Sequence, residues 1–485
     1  MSKVVTRFAP SPTGTLHIGG VRTALFNYIY AKQHDGNFLV RIEDTDRERS
    51  TKTYEKNILD TLSSIGLSPD KKPINQSERN DIYIKAAEQI IASGDAYWCD
   101  CSEEDLVKMR NQQMADGKKP MYDGRSRDLG LERSSNTVLR LATPEDGEIV
   151  MHDMIRGEIR FNNAELDDLI LLRSDGTPTY HLCNVVDDFE QGVTTVIRGE
   201  DHISNTPRQI HIQNALGYPA LEYAHLPLVL GPDKKRLSKR HAATSLEEYK
   251  DMGYLDSAIL NSLARLGWSG GDKEVFYMDD LLKDFNIKDV QKAGAIFDIT
   301  KLDWLNAQHL ANLSLEGFKE NIKPFAHKIN IDINEHPNTD LLISSMRTFE
   351  NTLSDIAKAL RPYFIDVVEY DKNAINKFLS NGTKILEDIH ELLKTVADWN
   401  EEEIDEVLKE YQASHSLKVP EVNQPIRIAL TGSTKSPSLG LTLSLFDKEE
   451  SLKRIEKLIN FLNWKNQKNS VYKIGHYLVL MPIIS

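Results

Sequence analysis

Two short stretches far apart in the chain must meet in any fold this sequence adopts. The first is Arg7-Phe8-Ala9-Pro10-Ser11-Pro12-Thr13-Gly14-Thr15-Leu16-His17-Ile18-Gly19-Gly20; the second is Arg236-Leu237-Ser238-Lys239-Arg240. The first opens with a β-prone run, Val4 to Phe8, and passes into a loop rich in Pro and Gly that suits turns and not helix. From about Gly19 the apolar positions Val21, Ala24, Leu25, Tyr28 and Ile29 recur at the spacing of one helix face. Gly36 breaks that helix, and Phe38-Leu39-Val40-Arg41-Ile42 reads as the next strand. Strand, loop, helix, strand is a βαβ opening and implies a parallel sheet of nucleotide-binding type.

His17 lies just before the helix, where unpaired backbone N–H groups and the positive end of the dipole suit a phosphate. Gly19 has no Cβ, so the backbone there can approach a flat ligand closely. The second stretch belongs to a basic loop, Gly231 to His241, delivered by the apolar segment Leu226-Pro227-Leu228-Val229-Leu230. A mobile ammonium such as Lys239 can follow a phosphate into a more negative transition state, where its field acts most. Each stretch alone has a bland reading, a glycine turn or a solvated charge run; their joint presence argues against both.

At 485 residues the chain is too long for one core. A helix is expected around Asp81 to Ala92, then an insertion of short strands such as Val138-Leu139-Arg140-Leu141 from about Tyr97 to Thr179. The parallel-sheet pattern is expected to resume at Val185-Val186-Asp187-Asp188 and Val193 to Arg198, with a mainly helical chain from Leu255 onward. The net charge of −14 weighs against a nonspecific nucleic-acid binder, though local basic surface can still hold a specific polyanion. No apolar run reaches the roughly eighteen residues of a spanning helix, and the N-terminus lacks a signal-peptide profile. A cytoplasmic protein with no membrane partner is expected. Three cysteines cannot make a secreted disulfide framework.

These residues resemble the two signatures of class I aminoacyl-tRNA synthetases, and the variants His-Ile-Gly-Gly and Arg-Leu-Ser-Lys-Arg resemble those of bacterial-type glutamyl-tRNA synthetases. The likeness continues through Arg41-Ile42-Glu43-Asp44-Thr45-Asp46, Gln76-Ser77-Glu78-Arg79, Tyr122-Asp123-Gly124-Arg125, Arg198-Gly199-Glu200-Asp201-His202 and Lys301-Leu302-Asp303-Trp304-Leu305-Asn306. The resemblance implies an α/β protein: a Rossmann-type parallel-sheet catalytic domain with an inserted acceptor-end-binding domain, then an all-α anticodon-binding region. Expected boundaries are 1–90 and 181–230 for the two catalytic halves, 91–180 for the insertion, 231–315 for a linking stem-contact domain and 316–485 for the helical domain.

By the same resemblance His17 and Lys239 are catalytic, and His17, Gly19, Gly20, Arg236, Ser238 and Lys239 bind ATP. Arg7, Ala9, Ser11, Glu43, Tyr180, Asn184 and Arg198 line a glutamate pocket. Glutamate brings two carboxylates and one ammonium, so two cations and one anion are wanted, and an arginine fork matches a carboxylate. Arg7 is assigned to the side-chain carboxylate, Arg198 to the main-chain one and Glu43 to the ammonium. ATP, Mg²⁺, L-glutamate and tRNA(Glu) are implied, with tRNA(Gln) as a possible second acceptor and a monomer as the family expectation. Zinc-binding relatives carry a Cys-x-His pair where this chain has Ser126 and Asp128, so Cys99 and Cys101 are expected to hold no zinc. A small-molecule nucleotidyltransferase would need neither this pocket nor so long a helical extension. A non-catalytic RNA-binding paralogue has no use for a phosphate-activating loop.

Overall fold

A computed structural model describes residues 3–45, 49–238, 245–367, 369–379 and 382–478. The chain divides into two compact units, one of residues 1–251 and 255–305, the other of 252–254 and 306–485.

The first unit opens with β1 (Val5–Phe8), α1 (Ile18–Gln33) and β2 (Asn37–Ile42), with β1 and β2 parallel. After α2 (Lys52–Ser64), the short β3 (Ile74–Asn75) adds in parallel beside β2. The α1–β2 turn depends on Gly36, where a Cβ would lie 2.3 Å from the Val4 carbonyl oxygen and 2.9 Å from that of Ala31. Helix α1 is buried on most of its surface, through Val21, Ala24, Leu25, Phe26 and Ile29 among others. The larger of these side chains, Val21, Leu25, Phe26 and Ile29, each contribute about 1.5–3 kcal/mol on leaving water.

Next come α3 (Asn80–Ser93), β4 (Ala96–Cys99), α4 (Glu103–Ala115), β5 (Val138–Leu141), β6 (Glu148–Asp153), β7 (Gly157–Asn162) and β8 (Ile170–Leu172). Strands β4, β5 and β8 form a separate antiparallel sheet, whereas the β6–β7 hairpin joins a larger one. The chain continues through α5 (Tyr180–Glu190), β9 (Thr195–Gly199), α6 (Thr206–Leu216), β10 (Glu222–Leu226) and β11 (Val229–Leu230). Strand β10 pairs in parallel with β9 on one side and β6 on the other. Thr194 at the foot of β9 bonds Val5 through both its backbone and its hydroxyl, which seats β9 beside β1. The unit closes with α7 (Leu246–Met252), α8 (Asp256–Arg265), α9 (Met278–Asp284), β12 (Ala295–Ile296) and the start of α10 (Ile299–Asn312).

One expectation fails: Val185-Val186-Asp187-Asp188 is not a strand but the middle of α5. The helix is buried on nearly all sides, with Leu182, Val185 and Val186 in a core and Asn184, Asp187 and Asp188 in a polar site. A short apolar run buried all round cannot be told from a strand by periodicity alone.

The second unit is helical, and its described residues contain no strand. It comprises α11 (Leu315–Lys328), α12 (Thr339–Met346), α13 (Leu353–Leu360), α14 (Lys372–Phe378), α15 (Gly382–Thr395), α16 (Glu401–Ser414), α17 (Val419–Thr431), α18 (Leu439–Leu445) and α19 (Lys448–Leu478). Helices α15, α17 and α19 pack on one another, burying Leu386, Ile389, Leu393, Ile426, Leu430, Ile455 and Leu458. Arg454 is buried there and donates to the carbonyl oxygens of Pro362 and Leu430 at 2.8 and 2.7 Å. Among the described residues no helix is long and apolar enough to cross a membrane.

Candidate active site

The first unit encloses a cavity of about 640 Å³, a size suited to small molecules. Its walls come from the carboxyl ends of β1, β2 and β9, the first turn of α1 and the segment after β10, as expected for a ligand site in an open α/β sheet. Arg7, Ala9, His17, Gly19, Gly20, Glu43, Tyr180, Asn184, Arg198, Arg236 and Ser238 all line it. Ser11 is exposed and lies outside this lining. Lys239 falls outside the described residues.

His17 is the N-cap of α1, and its Nδ1 accepts the Gly20 N–H at 3.2 Å. An Nδ1 that accepts leaves the proton of the neutral ring on Nε2, free to donate to a ligand. His17 is exposed at the cavity rim, yet desolvation, and then nearby Arg236, hold its pKa below the ordinary histidine value. A Cβ on Gly19 would meet the imidazole Cε1 at 2.9 Å and Nδ1 at 3.0 Å, so this glycine leaves room for the ring itself.

The second signature leaves β11 through a tight hairpin in which the Gly231 N–H donates to the Lys235 oxygen at 2.8 Å. The Leu237 N–H returns to Val229 at 2.9 Å, which turns Arg236 and Ser238 toward the cavity. Beyond the undescribed residues, Ser245 forms a β-bridge with His17, and the Leu246 N–H donates to Leu16 at 3.2 Å. The described chain on both sides of Lys239 therefore meets the first signature. Arg22 in α1 braces this region, donating to the carbonyls of Pro227 at 2.7 Å and Leu266 at 2.6 Å.

Arg7 and Glu43 of the lining belong to a buried ionic network. Arg41 is fully buried and donates to Asp188 at 2.6 Å, Gln191 at 3.1 Å and Glu43 at 3.4 Å. Arg7 holds Asp188 with two donors, at 3.0 and 3.3 Å. Asp187 accepts from Arg79 and Tyr83, each at 2.7 Å, and from Gln76 at 3.0 Å. Burial pushes the Asp188 carboxyl up, but Arg41 and Arg7 outweigh it and hold the group below the ordinary carboxylate range. At Glu43 burial wins over Arg41 and Arg7 and the pKa is raised. Glu43 also accepts Asn184 Nδ2 at 2.9 Å.

Arg198 differs from these arginines. It is buried, yet no carboxylate among the described residues pairs with it. Nε donates to His225 at 3.2 Å and Nη2 to Thr206 at 2.9 Å, while Nη1 is buried with no hydrogen-bond partner among the described residues. One cavity thus holds a buried guanidinium with no carboxylate partner among the described residues together with the Glu43 carboxyl, groups whose chemistry suits a ligand carrying both an anion and a cation.

Sequence reasoning missed Arg41, Asp187 and Asp188 as parts of the site. The available signal was the pair of adjacent acids in an otherwise apolar run, which has no place in a buried strand unless cations meet it. Away from the cavity, the Cys99 thiol donates to Tyr122 Oη at 3.3 Å, and that oxygen also accepts the Ser126 N–H at 3.1 Å.

Comparison with known proteins gives the same direction. The family model described as "tRNA synthetases class I (E and Q), catalytic domain" matches residues 3–304, and an anticodon binding domain matches 317–459. The glutamate–tRNA ligase of Thermodesulfovibrio yellowstonii is 44% identical, over 94% of this chain and 99% of that protein. That of Legionella pneumophila is 43% identical, over 93% and 97%. A glutamate tRNA ligase from Elizabethkingia meningosepticum, solved in complex with its amino acid, superposes with a TM-score of 0.84 at 33% identity, covering 95% of this chain and 99% of that one. The chain belongs to the glutamate–tRNA ligases of the class I tRNA synthetase family.

Proposed function

We propose that this enzyme joins L-glutamate to the 3′ end of tRNA(Glu) in two steps within the cavity described. An oxygen of the glutamate α-carboxylate attacks the α-phosphorus of ATP. The bond from that phosphorus to the bridging oxygen of the β-phosphate breaks, and pyrophosphate leaves with the electron pair. A terminal ribose hydroxyl of the tRNA then attacks the acyl carbon of glutamyl-adenylate, passes its proton to solvent and expels AMP. No protein nucleophile is needed, so positioning and charge stabilisation carry the chemistry.

The observation that carries this reading is the buried, uncompensated Arg198 in one cavity with Glu43 and His17. Arg198 takes the α-carboxylate, Glu43 the ammonium and Arg7 the side-chain carboxylate, with Ala9, Ser11, Tyr180 and Asn184 shaping the pocket. His17 donates from Nε2 to the triphosphate, Gly19 and Gly20 open the first turn to it, and Arg236, Ser238 and Lys239 also bind ATP. Mg²⁺ would accompany the triphosphate and offset its charge; of the two carboxylates among the described lining residues, Glu43 is held by Arg41 and Asn184, which leaves Asp201 as the one that would approach the ion. The insertion carries no zinc in this reading. Its donors would be two thiols, a hydroxyl and a carboxylate, and the Cys99 thiol already serves Tyr122.

The finer division is proposed as expected from the sequence: 91–180 binds the acceptor end, 231–315 contacts the stem, and 316–485 reads the anticodon. The enzyme acts as a cytoplasmic monomer, with tRNA(Gln) as a candidate second acceptor. Glutamate-dependent exchange of pyrophosphate into ATP, with tRNA(Glu) present, tests the pocket. Glutamate should support exchange, and glutamine or aspartate should support it at least about a hundredfold less well, because each leaves a charged or buried group unmatched. Equal exchange with glutamine contradicts the assignment of Arg7.

A further inference from the structure

Three neighbouring strands each contribute one member of a buried polar row. Arg198 on β9 stands in register with His225 on β10, and β10 pairs through Tyr223 with Asp153 at the end of β6. We propose that His225, braced by Asp153, is a positioning residue that fixes the Arg198 guanidinium for a carboxylate of glutamate. The proposal rests on the assignment of Arg198 to the glutamate pocket made above.

The bonding pattern leaves little freedom. Asp153 Oδ2 accepts both the backbone N–H of His225 at 2.9 Å and its Nδ1 at 2.7 Å. Oδ1 accepts the N–H groups of Ile155 at 2.9 Å and Arg156 at 2.8 Å, so the carboxylate is itself anchored to the β6–β7 turn. A carboxylate only accepts, which puts the ring proton on Nδ1, and an arginine Nε–H only donates, which requires the lone pair on Nε2. Both ends of the imidazole therefore demand the same tautomer. His225 is fully buried and Asp153 nearly so, and water does not compete for either.

The result at Arg198 is a guanidinium pinned at two corners, Nε by His225 and Nη2 by Thr206, with the third, Nη1, left unpartnered. Without the acceptor at His225 the side chain is free to pivot about its Cδ–Nε bond. A misplacement of about 1 Å at such a group is enough to weaken binding tenfold or more. The Asp–His pair does no proton transfer in this role, since neither group touches the substrate. It converts a flexible arginine into a fixed fork.

The test is steady-state acylation of tRNA(Glu) by the full-length enzyme and its variants, with ATP and tRNA saturating and glutamate varied. His225→Asn keeps a donor for Asp153 and removes the acceptor for Arg198. His225→Gln places an amide oxygen near the lost Nε2. His225→Asn should raise the KM for glutamate about tenfold, with kcat and the KM for ATP changed less than about threefold, and His225→Gln should recover most of the loss. A purely structural histidine, when replaced, would lower kcat and raise both KM values together, and glutamine would not rescue it. That result, or an unchanged glutamate KM in His225→Asn, overturns the proposal. Should His225→Asn fail to fold, Asp153→Asn decides from the other end of the row: a raised glutamate KM supports the role and an unchanged one overturns it. Arg198→Ala run alongside separates the two levels. If it leaves the glutamate KM unchanged, the underlying assignment falls; if it alone raises that KM, only the positioning role falls.

Discussion

A guanidinium carried into a protein interior gives up several kcal/mol of hydration unless a partner restores it. Arg7 and Arg41 recover it from a shared anion, Asp188, and Arg41 also reaches Glu43. Replacing Asp188 by Asn leaves two buried cations short of one negative charge. The expected cost is about 3–5 kcal/mol of folding stability, read from chemical denaturation, because breaking a buried pair strands its partners. Glu43 gives a pH prediction with a definite sign. Its pKa is raised in the free enzyme, first by burial, and the substrate ammonium binds only the ionised carboxylate. The KM for glutamate should therefore rise as pH falls through that raised pKa, and Glu43→Gln should raise KM at neutral pH and flatten the acid limb. A wild-type KM constant across the acid range argues against Glu43 as the ammonium's partner. That Arg7, Glu43 and Arg198 line one cavity was legible in the sequence, because each lies at or just past the end of a strand, where an open parallel sheet leaves its crevice. The anions that set their strength were not, because Asp187 and Asp188 lie in a helix whose burial disguises its period.

Helix α1 and its flanking turns connect these residues to the fold. Their pattern was readable: a Pro/Gly loop, apolar positions at helical spacing and a glycine at the exit all appear at the expected places. The two glycines at its ends should behave differently when a methyl group is added. At Gly36 the methyl would strike backbone carbonyl oxygens, so Gly36→Ala should cost about 1–3 kcal/mol of stability with little specific effect on the reaction of the folded fraction. At Gly19 it strikes only the His17 ring, which can swing away. Gly19→Ala should therefore cost about 1 kcal/mol or less, the value of one N-cap, while turnover falls at least about tenfold. Thermal melts and acylation rates on both variants check this inversion; a Gly19→Ala enzyme with normal turnover would detach His17 from the chemistry. What the sequence could not reveal is how the insertion divides. Its β6–β7 hairpin adds to the catalytic sheet through β10, a long-range pairing that depends on register and not on local propensity.

The whole molecule carries a net charge of −14 while acting on two polyanions, so binding must come from local cations placed by the fold. Lys239, which follows the cavity-lining Ser238, is assigned to the transition state and not to tRNA affinity. Lys239→Ala should reduce pyrophosphate exchange by at least about a hundredfold with tRNA binding nearly unchanged, and equal loss of both contradicts that role. The helical second unit was visible from composition and period alone, since amphipathic helices need no distant partner strand to declare themselves. The most direct measurement is acylation with labelled glutamate, ATP and Mg²⁺, using purified tRNA(Glu) and tRNA(Gln) in separate reactions and scoring acid-precipitable label. Label on tRNA(Glu), abolished by Arg198→Ala at low glutamate, is the predicted result, with tRNA(Gln) charging measuring the breadth of acceptor choice. No label on either RNA, with enzyme and RNA intact, contradicts the account.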